Sequence, residues 1–156
     1  MNCVMCGGNA RTVTEVKQAR YRGETVEVSR EVFRCDSCEE EFVTPVQARN
    51  YVRTVKDEIR KRHGLLSPDR IVEIRKKLKL SQHELEGLLN AGPKVVVRWE
   101  SGKVIQGGGH DNMLRLLDRD PKTLEQLRQI REHRSAEQKK HTSGENNANA
   151  KAACMA

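Results

Sequence analysis

Two Cys-x-x-Cys pairs, Cys3-Val4-Met5-Cys6 and Cys35-Asp36-Ser37-Cys38, constrain this chain more than any other feature. Two residues between thiols let a tight turn aim both sulfurs at one ion, and two such turns complete a tetrahedral tetrathiolate. Gly7 directly follows the first pair, where the backbone is under strain. The ligand set fits zinc, with iron as the main competitor; unliganded thiols or two disulfides are the alternatives. Four protein ligands fill the coordination sphere and leave no open position for a substrate or an activated water. Such a metal is structural, not catalytic. A thioredoxin-like redox pair needs only one Cys-x-x-Cys beside a parallel sheet. Zinc would contribute on the order of 10 kcal/mol to folding so small a module. A chelator is then expected to unfold residues 1–44 and spare the rest.

Composition narrows the partners. The net charge of +7 and pI of about 9.3 favour a polyanion. With 36% apolar and 3% aromatic residues the chain can build only modest cores, which usually need a metal or a dimer interface as support. No apolar run approaches the roughly 20 residues of a membrane span. A cleavable signal peptide is not expected, because it would remove Cys3 and Cys6. The expected compartment is the cytoplasm, where thiols stay reduced.

Four regions separate along the chain: a cysteine-bearing β module at 1–44, a connecting helix and hinge at 45–66, a helical domain at 67–134, and a disordered tail at 135–156. Within the first, Thr12–Val16, Thr25–Val28 and Val32–Arg34 read as short strands, with Arg22-Gly23-Glu24 as the reversal. Thr44-Pro45 reads as an N-cap and first helical position, opening a helix that places Val46, Val52, Val55 and Ile59 on one face and ends near Gly64. Its outer surface carries Arg49, Arg53, Lys56, Arg60, Lys61 and Arg62, either a solvated face or a basic surface. The boundary between the two domains is expected at 63–67. Cys154, in the tail, reads as an incidental thiol.

In the helical domain, Ser67-Pro68-Asp69 opens a segment running through Lys79, and Ser81-Gln82-His83-Glu84 forms a capping box. Leu85, Leu88 and Leu89 make the inward stripe of a short helix; Asn90-Ala91-Gly92 supplies a turn, and Pro93 is expected to start the next helix, from Lys94 to Glu100. Val96 and Trp99 then face the core, while Lys94, Val97 and Arg98 project outwards. Lys94 and Arg98, four apart, share one face from which base edges are within reach. Arg75, Lys76 and Lys77 are either phosphate contacts or a solubilising face. Gly107-Gly108-Gly109 lacks the preceding strand and the Lys-Ser/Thr of a phosphate-binding loop, and reads as a flexible connection into a helix at Asn112–Leu117. A last helix, starting at Asp120-Pro121, carries an apolar stripe of Leu124, Leu127 and Ile130 that needs a partner.

The stretch from Leu78-Lys79-Leu80-Ser81-Gln82 to Arg98-Trp99-Glu100-Ser101-Gly102-Lys103 resembles the Cro/repressor (Xre) helix-turn-helix. That resemblance implies that Gln82, at the amino end of the first motif helix, grips a phosphate, and that Lys94 and Arg98 lie on the recognition helix. With the upstream cysteine pairs, Tyr21-Arg22-Gly23 and Ile71–Leu78, residues 1 to about 130 resemble MqsA (YgiT-type) antitoxins. Two positions depart from the pattern. Lys94 stands where the family often has Asn, which shifts the preferred base from adenine to guanine. Glu86 stands where Cro-like domains carry a small residue, so it should either snorkel outwards or widen the helix packing.

The expected fold is therefore α+β: a small N-terminal zinc-bound β module joined by a helix to an all-α Cro/repressor-like helix-turn-helix domain. The resemblance implies zinc at Cys3, Cys6, Cys35 and Cys38, a toxin ribonuclease neutralised by the zinc module, and repression of the chain's own operon. Contacts to double-stranded DNA are assigned to Gln82, Lys94, Val97, Arg98, Arg75 and Lys76. A homodimer through 67–134 would present two recognition helices to a palindromic operator. An alternative is a stand-alone zinc-containing regulator with no toxin. No enzyme is expected, since no nucleophile–base pair or catalytic carboxylate pair is evident.

Overall fold

The computed structural model describes residues 1–137 throughout and the helical backbone on to 153; residues 154–156 and all side chains from 138 onward lie outside the described residues. The tail expected to be disordered from 135 instead continues the last helix in its backbone as far as 153, while Cys154 lies outside the described residues. A three-stranded antiparallel sheet, β1 (Ala10–Tyr21), β2 (Glu24–Cys35) and β3 (Glu41–Phe42), precedes six helices, and the fold class is α+β. No described helix is long and apolar enough to cross a membrane.

β1 and β2 form one long hairpin, paired from Ala10↔Cys35 to Tyr21↔Glu24. Arg22 and Gly23 join them, both at positive φ (50° and 90°), as a two-residue turn matching the right-handed twist of the strands requires. The two strands expected at Thr25–Val28 and Val32–Arg34 are thus one. The polar residues between them, Ser29-Arg30-Glu31, do not break the ladder, because Arg30 is held by Glu15 across it at 2.6 Å. Along β2, Val26, Val28 and Val32 are buried at even spacing, as a half-buried strand demands. β3 is a short addition whose Phe42 pairs with Phe33, the rings stacked 5.5 Å apart.

Helix α1 (Pro45–Arg62) begins as expected, with Thr44 capping and Pro45 in its first turn; Gln47 completes a reciprocal box by accepting the Thr44 amide at 2.9 Å. It ends in a Schellman turn: Gly64 has φ +61°, its amide bonds Lys61 O, and the Leu65 amide bonds Arg60 O. The buried stripe is narrower than expected. Val55 and Ile59 face the core with Tyr51 half-covered one turn earlier, whereas Val46 and Val52 are 55% and 49% exposed. One helical turn separates Tyr51, Val55 and Ile59, and this row leaves Val52 off to one side.

The chain divides into two compact units, and none of the three breaks between them falls at 63–67. One unit comprises Met1–Ile71 and Arg98–Gly108; the other comprises Val72–Val97 and the chain from Gly109 onward. The reason lies in the core of the first unit, where Ala19, Val26, Val28, Val55 and Ile59 cluster with Ile105. The returning segment is also held by polar bonds: Arg60 Nη2 donates to Val104 O (3.1 Å), Lys56 Nζ to Lys103 O (2.7 Å), and Gln106 Nε2 to Leu66 O (2.7 Å). Arg60, read from sequence as an outer basic residue, is 2% exposed and ion-paired with Asp57 at 2.8 Å.

Helices α2 (Pro68–Lys77) and α4 (Val95–Glu100) straddle the division, α3 (Gln82–Leu88) and α6 (Lys122–Ala153) lie within the second unit, and α5 (Gly108–Arg119) does so from its second residue onward. This unit buries Ile74, Leu80, Leu85, Val96, Leu114 and Leu117. Gly108 and Gly109 are helical, so α5 starts four residues earlier than expected. Its amino end is anchored by buried Asp111, which accepts from Arg115 at 2.7 Å.

Candidate metal centre and nucleic-acid interface

The two Cys-x-x-Cys segments fold into matching knuckles. In the first, the Gly7 amide bonds Cys3 O (3.0 Å) and the Cys3 amide bonds Gly8 O (2.7 Å). In the second, the Glu39 amide bonds Cys35 O (3.1 Å) and the Cys35 amide bonds Glu40 O (3.0 Å). Each knuckle turns through a left-handed residue after its second cysteine, Gly7 at φ +73° and Glu39 at φ +58°. Glycine takes this conformation freely and glutamate does not. Glu39→Gly is therefore expected to stabilise the protein by about 0.5–1 kcal/mol, checked as a rise in the denaturant midpoint.

The hairpin register brings the knuckles together, since Ala10 opposite Cys35 places the first knuckle beside the second. All four Sγ atoms lie within 4.8 Å of one another, with Cys3–Cys38 at 3.7 Å and Cys6–Cys35 at 3.5 Å. Cys3 and Cys35 are buried, Cys6 and Cys38 exposed. Amides of Met5 and Ser37 each point at a sulfur, Cys3 and Cys35 respectively, at 3.4 Å. The Cys35 thiol is drawn down to about 6 by the amides of Cys38 and Ser37. Cys38 ends pushed up to about 12: the Glu40 amide lowers it, but the Cys6 thiol, burial, and the Cys35 and Cys3 thiols together outweigh that pull. Four thiols this close cannot all ionise alone, and a divalent cation among them relieves the repulsion and displaces their protons. The cluster can hold a metal ion with no fifth protein group required. Packing around it is tight, as a methyl on Gly8 would sit 2.7 Å from the Ser37 hydroxyl and 3.2 Å from Cys6 Sγ.

In the second unit the helix–turn–helix segment is built locally. The Ser81 hydroxyl accepts the Glu84 amide (3.2 Å), and the Glu84 carboxylate accepts the Ser81 amide (2.7 Å), as expected of a capping box. The Ser81 bonds hold the Glu84 carboxyl below its ordinary range. α3 closes on Asn90 at φ +51°, with the Ala91 amide bonded to Glu86 O. The next turn differs from the expectation. The Val95 amide bonds Gly92 O across Pro93-Lys94, and Lys94 takes φ +59°. Proline at the second position and a positive φ at the third define a tight turn, so Pro93 precedes the helix and does not begin it. Lys94 therefore stands exposed ahead of α4, and the expected i,i+4 helical pairing with Arg98 does not form.

Val97 (40% exposed) and Arg98 remain adjacent on the outer side of α4, with Val96 and Trp99 buried as expected. Among the described residues Arg98 has no ion pair. Gln82 opens α3 and is half-buried; Arg75 is half-buried too and donates to Leu80 O at 3.0 Å, which closes the end of α2. Lys76 is exposed, while Lys77 is tied to Asp118 at 2.8 Å. On α1 the basic groups are mostly engaged: Arg62 donates to Thr25 O, Lys61 pairs with Glu58, and Arg53 faces Asp57.

Residues 1–128 match the model of MqsA, the antitoxin component of a bacterial toxin-antitoxin system. The chain belongs to the MqsA antitoxin family. Antitoxin MqsA of Escherichia coli is 28% identical over 132 residues, covering 82% of this chain and 100% of that protein. Antitoxin HigA-2 of Vibrio cholerae is 31% identical over 65 residues, covering 42% of this chain and 62% of that protein. This MqsA-family chain thus spans less than two thirds of the HigA-2 relative and the whole of the MqsA one.

The partner of Glu86 and the burial of Ile105 have no signal in the local sequence. Glu86 is 6% exposed and accepts the Val96 amide, so it does not snorkel outwards. Ile105 gave no signal, because it sits among glycine, glutamine and valine without periodicity.

Proposed function

We propose that this protein is an antitoxin-type autorepressor: it binds palindromic operator DNA through the helix–turn–helix and neutralises a toxin ribonuclease through a zinc-holding N-terminal module. The observation that carries the reading is the union, in one MqsA-family chain, of a four-thiol cluster with an exposed Val97–Arg98 pair on the helix after a capped α3.

Zinc is the favoured ion. Zn–S bonds of about 2.3 Å in a tetrahedron separate the sulfurs by about 3.8 Å. Two of the pairs, at 3.5 and 3.7 Å, lie close to that edge. A closed tetrathiolate holds the fold and does no catalysis, and its thiolates suit the reducing cytoplasm.

On DNA, Arg98 is the base reader and Val97 its apolar neighbour, while Lys76, Lys94, Gln82 and Arg75 serve the phosphates. The turn conformation of Lys94 moves it from the base-reading role to the backbone. A homodimer through the helical domain supplies the two-fold symmetry of a palindrome. Leu116 and Ile130 are half-exposed, and an open groove of about 690 Å³ is floored by Leu88, Leu89, Met113, Leu127 and Ile130, which supports an apolar contact there.

Titration on operator and scrambled duplexes tests the DNA half. Arg98→Ala should cost about 1–3 kcal/mol on the operator and relax specificity at one or two positions. Lys76→Ala should weaken every sequence alike and lower the salt slope by about one unit. Equal affinity of the unaltered protein for both duplexes would end the repressor reading. Co-purification with the product of the adjacent gene, with metal analysis of the complex, tests the toxin half and separates it from a regulator that has no toxin.

A further inference from the structure

The buried carboxylate of Glu86 is used neither by the thiol cluster nor by the exposed face of α4. It stands midway along α3, 6% exposed, with Oε1 accepting the Val96 amide at 3.1 Å. Helix α4 depends on such help for three reasons. It has six residues, too few to be stable alone. Three of them are consecutive valines, which lose side-chain freedom in a helix. The residues ahead of it, Gly92, Pro93 and Lys94, offer no side-chain oxygen to take an orphaned first-turn amide. A carboxylate supplied from the neighbouring helix meets both the missing acceptor and the positive end of the helix dipole.

We propose that Glu86 is a positioning residue for DNA recognition: it caps α4 from α3 and so sets where α4 starts and which way Val97 and Arg98 are presented. The proposal rests on the DNA-binding reading above. A small residue at this position, usual in Cro-like domains, would leave the Val96 amide buried without this acceptor. The Pro93-Lys94 turn and Glu86 therefore act as one device, the turn displacing the helix start and the carboxylate pinning it.

The test uses the full-length, metal-loaded protein with Glu86→Gln, which keeps a side-chain oxygen, and Glu86→Met, which keeps the volume and removes the acceptor. Three quantities are measured: affinity for the operator duplex, affinity for a scrambled duplex, and hydrogen exchange at the Val96 amide. Glu86→Met should lose tenfold or more on the operator, change less than twofold on the scrambled duplex, and exchange faster at Val96. Glu86→Gln should recover most of the operator affinity and the amide protection. A Met variant that matches the unaltered protein on the operator overturns the proposal, as does an equal loss in both variants. If the unaltered protein itself prefers neither duplex, the repressor reading falls first, and Val96 exchange in the Met variant still reports whether the cap exists.

Discussion

Removing the metal with a strong chelator is expected to unfold the whole first unit, Met1–Ile71 with Arg98–Gly108, and to take operator binding with it. A structural zinc contributes on the order of 10 kcal/mol to a small module, which is comparable to the total stability of a domain. The knuckles carry the ligands at the base of the β1–β2 hairpin, and that hairpin supplies Ala19, Val26 and Val28 to the core. Those residues share their cluster with Val55 and Ile59 of α1 and with Ile105. Loss of the sheet thus exposes the packing face of α1 and frees the segment that begins at Arg98, inside α4. Hydrogen exchange before and after chelation checks this: amides of 24–35, 51–60 and 98–106 should lose protection together. Retained protection at 98–106 in the metal-free protein would restore the simpler expectation, that only residues 1–44 melt. Cys35→Ser should have the same effect without chelator, since a serine hydroxyl is a poor zinc ligand beside three thiolates.

Ile105→Ala is expected to destabilise the first unit by about 2–5 kcal/mol, the usual cost of truncating a buried aliphatic side chain to alanine. Ile105 is 7% exposed and is held in place by its neighbours: Val104 O accepts from buried Arg60, and the Gln106 side chain donates to Leu66 O. These polar bonds keep the backbone where it is, so the cavity cannot collapse easily and the cost should fall in the upper part of the range. A urea melt of the metal-loaded protein measures it as a drop in midpoint at unchanged slope. A change under 1 kcal/mol would mean that the returning segment adheres through its polar bonds and not through its apolar anchor. Operator affinity of the same variant, measured where the protein is still folded, should fall with it, because Arg98 belongs to the segment that Ile105 anchors.

Much of this was legible beforehand where the controlling interactions are local. The Cys-x-x-Cys spacing announces a knuckle because the backbone bonds that shape it span only four or five residues. Capping at Thr44 and Ser81 is readable for the same reason, each box closing within three residues. The burial of Val96 and Trp99 followed from periodicity in a helix whose neighbours are turns. Lys94 shows the limit of such reading. Pro93 is equally compatible with the first turn of a helix and with the second position of a tight turn, and only the bond from Val95 to Gly92 decides between them. Glu86 shows it more strongly, because a carboxylate among leucines has no local partner and finds one ten residues away.

By itself the chain's order of residues determined the four-thiol cluster, the α+β succession of elements, and the family to which they belong, since each depends on short spacings or on matching along the chain. Tertiary structure alone decided that α1 and residues 98–108 join the sheet, that Arg60 is interior, and that Glu86 caps α4. Those outcomes depend on contacts between residues 10 to 47 positions apart, where burying apolar area and satisfying stray amides outweighs any local preference.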